Sequence, residues 1–114
     1  MQELGFGERL LRVTFVGPDR RLVKVLIDVE IRLRPETAFA DGLMCMLKET
    51  LESRDDHTVA LLLTRPGRGG LSDNDRRWCR ALTAAAARHD VPIEPMFRAN
   101  DDELVRLDPT ASAA

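Results

Sequence analysis

Leu61-Leu62-Leu63-Thr64-Arg65-Pro66-Gly67-Arg68-Gly69-Gly70-Leu71-Ser72-Asp73-Asn74-Asp75 carries three signals in one run. The residues from Val59 to Leu63 are apolar without interruption, the pattern of a central strand covered on both faces. A basic, glycine-rich loop follows. Ser72-x-x-Asp75 then has the form of a capping box, in which the serine oxygen accepts from the third helical amide and the acid answers the positive helix end. This order sets a helix N-terminus beside the carboxyl end of a strand, a junction where many α/β folds bind or react.

Upstream, Val23, Val25, Ile27, Val29, Ile31 and Leu33 alternate with Lys24, Asp28, Glu30 and Arg32, with Leu26 as the exception. A period of two over this length predicts a half-buried antiparallel strand. Gly17-Pro18-Asp19-Arg20 has turn chemistry and joins it to a strand over 10–16, with Leu11, Val13 and Phe15 on one face. A helix is expected from Glu36 to about Ser53, with Pro35 in its first turn and Phe39, Leu43, Met46/Leu47 and Leu51 inward. Downstream, a second helix runs from Asp73 to about Arg88, with Trp78, Leu82, Ala85 and Ala86 inward. Arg88 and His89 suit its negative end. Pro92 to Phe97 reads as a short strand in which Pro95 argues for an edge. Asn100-Asp101-Asp102 turns the chain into a last strand over 103–107. The order ββαβαββ predicts one α/β domain over 1–114, a mixed β-sheet with two main helices. Its ordered core is expected over about 9–108, between a frayed start and a loose tail.

Composition narrows the function. With 114 residues and a net charge of -2, the chain has no global field for nucleic acid or an anionic membrane. One Trp, four Phe and no Tyr leave little for a base-stacking platform. No apolar run approaches the ~18 residues of a membrane span, and no signal peptide is visible, so the cytoplasm is expected. Cys45 and Cys79 are expected as reduced thiols on or near the apolar faces of the two helices; neither forms a C-x-x-C pair, so zinc and thioredoxin chemistry have no support. His57 and His89 lie in polar segments without a second histidine at metal spacing. Trp78 is expected in the core, with an interface as the alternative.

The candidate site is the loop and helix start: Arg65, Arg68, Gly69, Gly70, Ser72 and Asp75. Glycines allow close backbone approach, and Arg65 and Arg68 could grip a phosphate, a carboxylate or an acidic partner. Neither a Walker A loop nor a G-x-G-x-x-G fingerprint is present, and no cofactor is expected. A solvated loop with a plain helix cap, worth about 1 kcal/mol, explains the same residues, and both readings stay open.

The stretch from about Val59 to Leu107 also resembles the RadC-like branch of the JAB/MPN domains. The likeness rests on Leu63-Thr64-Arg65-Pro66, on Ser72-x-x-Asp75, one residue closer than the family spacing, and on Arg88-His89-Asp90-Val91-Pro92-Ile93. It implies a cytidine deaminase-like three-layer fold. Active members end the strand in His-x-His-Pro; the two histidines and the aspartate bind zinc, and an upstream glutamate activates the bound water. Here Leu63 and Arg65 stand at the histidine positions, only Asp75 has a counterpart among the ligands, and Glu30 is a conceivable match for the glutamate. Leucine has no lone pair and a guanidinium repels zinc. The resemblance therefore implies no catalytic or metal-binding residue. It implies a non-catalytic protein-interaction module, a homodimer or the partner of another protein. The alternative is a small-ligand or phosphate-binding module using the loop from Arg65 to Ser72. Rearranged metal ligands, Asp75 with His89 or Glu94, find no support in the spacing.

Overall fold

The structure is a computed structural model that describes residues 9–32, 35–54, 56–67 and 69–108, without the side chains of 24–26. The expected frayed start and loose tail, and Leu33 and Arg68, lie outside the described residues. The elements are β1 (Arg9–Val16), β2 (Leu22–Ile31), α1 (Thr37–Leu51), β3 (Thr58–Thr64), α2 (Asp73–Arg88), β4 (Met96–Ala99) and β5 (Leu104–Leu107), in the order ββαβαββ. They form a mixed five-stranded sheet ordered β2-β1-β3-β4-β5. β3 and β4 are parallel and the other pairs antiparallel. An isolated parallel bridge, Val59 to Ile93, adds a one-residue sixth segment ahead of β4.

β1 is antiparallel to both neighbours, so β2 and β3 run the same way, and α1 carries the chain over β1 between them. α2 then carries it from β3 to β4. Both crossovers advance in the same direction across the sheet. Right-handed connections therefore set both helices on the same face. Burial follows this geometry. Leu11, Val13 and Phe15 of β1, with Val59, Leu61 and Leu63 of β3, form one core with Met44 and Leu47 of α1 and Trp78 and Leu82 of α2. Arg12, Thr14, Ala60 and Leu62, the alternate residues, are only half-buried.

Several sequence expectations change here. The described residues make two layers where three were expected, because only one alternation of the strands is covered by helices. For the same reason β3 is covered on one face, not both. Pro95 precedes β4, and β4 lies inside the sheet between β3 and β5; the edges are β2 and β5. On α1, Met44 is buried while Met46 is exposed, and the Cys45 thiol also faces outward. Pro35 lies before the helix, whose N-cap is Glu36. Cys79 is buried, which pushes its thiol pKa up, and both cysteines are free.

The two helices meet through a polar clasp and an aromatic pair. Arg88 Nη2 donates to Asp41 Oδ1 at 2.7 Å, and His89 Nε2 lies 3.1 Å from the same oxygen. The hydrogen bond from Arg88 leads in holding the Asp41 carboxyl below its usual range. Trp78 packs edge-on to Phe39 at 5.7 Å and donates its indole N–H to the Arg32 carbonyl at 3.0 Å. Trp78 is thus a core residue with its one polar atom satisfied.

Candidate functional site

The carboxyl ends of β3 and β4 and the first turn of α2 converge on one carboxylate, Asp75. The capping box is complete: Asp75 N donates to Ser72 Oγ at 3.1 Å, and Ser72 N donates to Asp75 Oδ2 at 2.9 Å. Asp75 is 1% exposed, unusual for an acid on the first turn of a helix. Its burial is matched by charge. Arg65, just past β3, donates Nε to both carboxylate oxygens at 3.1 and 3.2 Å and Nη2 to Oδ2 at 3.1 Å. Arg98 Nε lies 3.4 Å from Oδ2, and Arg9 Nη1 3.5 Å from Oδ1. Burial pushes the Asp75 carboxyl up, but the bonds from Arg65 and the Ser72 amide, with the charges of Arg65 and Arg98, hold it below its usual range.

The loop is tied down on both sides. Arg65 Nη2 donates to the Gly70 carbonyl at 2.9 Å, and Asn100 Nδ2 to the Gly69 carbonyl at 2.9 Å. Gly67 N donates to Asp101 Oδ2 at 3.0 Å, and Asp101 N to the Gly67 carbonyl at 2.9 Å. Gly67 and Gly69 have φ of 98° and 101°, which side-chain-bearing residues rarely adopt, so the turn requires glycine at both positions.

Of the predicted site residues, Arg65, Gly69, Gly70, Ser72 and Asp75 lie close together, and Arg68 lies outside the described residues. Arg65, expected to point at an external anion, is bound to Asp75. Glu30 shares an alternation with Asp28, whose carboxylate takes a bidentate bond from Arg12 on the helix-free face, so it is not brought to Asp75. Glu94 is not brought there either: Arg20 donates to both its oxygens at 2.8 and 2.9 Å, and Thr58 bonds to it. These bonds, Arg20 first, hold Glu94 down at about 2. Among the described residues no three of His, Cys, Asp and Glu gather as metal ligands.

Arg9 and Arg98 were missed by sequence reasoning. β4 alternates Met96 inward, Phe97 outward and Arg98 inward, so an arginine takes a core-facing position. That alternation, spotted in a strand of four residues, was the available signal.

Among the described residues, no helix covers the opposite face of the sheet. A groove of about 490 Å³ runs across it, lined among others by Thr14, Ala60, Leu62, Pro95, Phe97 and Leu104. Phe97 is 37% and Leu104 64% exposed. Comparison of the chain with protein-family models, with curated proteins and with solved structures finds no match.

Proposed function

We propose that this chain is a non-catalytic, cytoplasmic protein-docking module that self-associates through the helix-free face of its sheet, on a degenerate JAB/MPN-type framework. The observation that carries this reading is the apolar groove on that face. Exposed apolar surface gathered in one place marks interaction sites, whereas single exposed residues do not. The neighbouring ion pairs favour a second copy as partner. Arg12 with Asp28 and Arg20 with Glu94 put both signs of charge beside the groove. A two-fold contact, which brings the same patch to both sides, can set arginine against carboxylate.

The non-catalytic part of the reading is supported by the residues around Asp75. The carboxylate that would serve a metal in an active JAB/MPN domain is engaged by guanidiniums, and Leu63 and Arg65 stand at the histidine positions. Protein purified without chelator is expected to lack stoichiometric zinc; near-stoichiometric zinc would return the hydrolase reading.

Sedimentation velocity over a concentration series tests the docking. The wild type is expected to run as a dimer and Leu104→Asp as a monomer with unchanged circular dichroism. A wild type that stays monomeric throughout the series overturns self-association.

A further inference from the structure

We propose that the carboxyl ends of β3 and β4, roofed by the Gly69–Gly70 backbone and faced by the first turn of α2, bind a phosphate group, with Arg98 as the principal ligand and Arg65 and Arg9 completing a positive wall. The site lies on the helix side of the sheet, opposite the face proposed for docking, and does not depend on that proposal.

The first observation is Arg98. Its side chain is 0% exposed, yet among the described residues Nε and Nη1 have no hydrogen-bond acceptor. Nε sits 3.4 Å from Asp75 Oδ2 without hydrogen-bond geometry, and Nη2 reaches only the Gly69 carbonyl, at 3.5 Å. A guanidinium carries five donors and cannot shed its charge. Burying it with its donors unmet is costly, and native proteins seldom accept that cost without a ligand or a role.

The second observation is charge. Arg9, Arg65 and Arg98 all lie within 3.5 Å of a single aspartate, so the cluster holds two positive charges in excess. A phosphate monoester at neutral pH carries about -1.5 to -2, which matches the excess. Arginine forks suit its oxygens bidentately.

The third is position. The parallel strands β3 and β4 end here, and ligands of α/β sheets gather beyond such carboxyl ends. The amides of Asp73 and Asn74, first and second in α2 after the Ser72 cap, have no carbonyl partner within a helix, and Asp75 on the same turn lies beside Arg98. The roof is the exposed Gly69–Gly70 backbone, whose Gly69 carbonyl is held by Asn100 Nδ2. Lifting that turn would release Arg98 Nη2 from the Gly69 carbonyl for an incoming oxyanion.

The test is an amide ¹H–¹⁵N NMR titration of the full chain with inorganic phosphate and, separately, glycerol 3-phosphate, each against sodium chloride at matched ionic strength. Saturable shifts centred on Gly69, Gly70, Asp73 and Asn74 are expected with at least one phosphate compound and not with chloride. Free phosphate alone would assign a closed inorganic-phosphate site; the ester as well would assign a site for phosphorylated molecules. Arg98→Met, its fold checked by the unchanged remainder of the spectrum, is expected to weaken binding by about tenfold or more. Shifts that follow chloride equally, that centre elsewhere, or that persist unweakened in Arg98→Met overturn the proposal. The wild-type titration decides the location even where Arg98→Met does not fold.

Discussion

At the scale of single residues, Asp75 has two separable roles. As half of the capping box it satisfies a helix end, and as the one carboxylate among Arg9, Arg65 and Arg98 it neutralises part of a buried positive cluster. Ser72→Ala removes only the cap and should cost about 1 kcal/mol in urea unfolding. Asp75→Asn keeps the Ser72 cap but removes the charge and leaves guanidiniums buried against one another, so it should cost about 3–5 kcal/mol. Equal losses for the two variants would show that the cluster contributes nothing beyond the cap. Glu94 sets a different test. Its carboxyl falls from the ordinary 4.5 to about 2 beside Arg20 and Thr58. A depressed acid adds stability that is present above its unfolded pKa and is lost as pH falls through its folded one. Thermal stability should therefore drop between about pH 4.5 and pH 2, and Glu94→Gln should flatten that part of the profile.

At the scale of elements, α2 rests on its cap and its buried stripe. Leu82 is fully buried at the middle of that stripe. Leu82→Ala should cost about 2–5 kcal/mol. Met46→Ala on the outer side of α1 should stay within about 0.5 kcal/mol. Chemical denaturation of both variants checks the burial assignment of the two helices together. What could be read ahead of the structure divides along the same line. The alternation of β2 and the Ser72–Asp75 box are local signals, and both elements stand where they were expected. Val59 to Leu63 misled because an apolar run looks the same whether helices cover one face or two; Ala60 and Leu62 in fact face the groove. Pro95 misled because it lies one residue ahead of the β4 ladder, where its missing N–H costs nothing. Of the site, the cap and the glycine turn were legible. Arg98 was not, since its burial arises from strand pairing with β3 and from α2 overhead, both non-local.

At the scale of the whole molecule, two crossovers in one direction leave the sheet with one face dressed by helices and, among the described residues, one bare face. The Asp75 cluster sits on the dressed side and the groove on the bare side, so disruption of one should leave the other standing. Leu104→Asp should leave the amide shifts of Gly69 and Gly70 in place while changing the sedimentation coefficient. Loss of both together would mean that the faces are coupled through β4 and β5.

The place of β1 has a further consequence, which concerns synthesis. It is made before the other strands described here yet ends in the sheet interior, between β2 and a strand made much later; Leu10 and Thr64, partners across the β1–β3 ladder, are 54 positions apart. Until β3 arrives, the nascent hairpin carries an unpaired interior edge and an uncovered apolar face, the two features that promote strand-to-strand aggregation. Pairing over such separations is also slow to nucleate. A chain cut after Leu51 should accordingly collect in the insoluble fraction on expression while the full chain remains in the supernatant. A soluble, monodisperse fragment would show that α1 alone shields the hairpin.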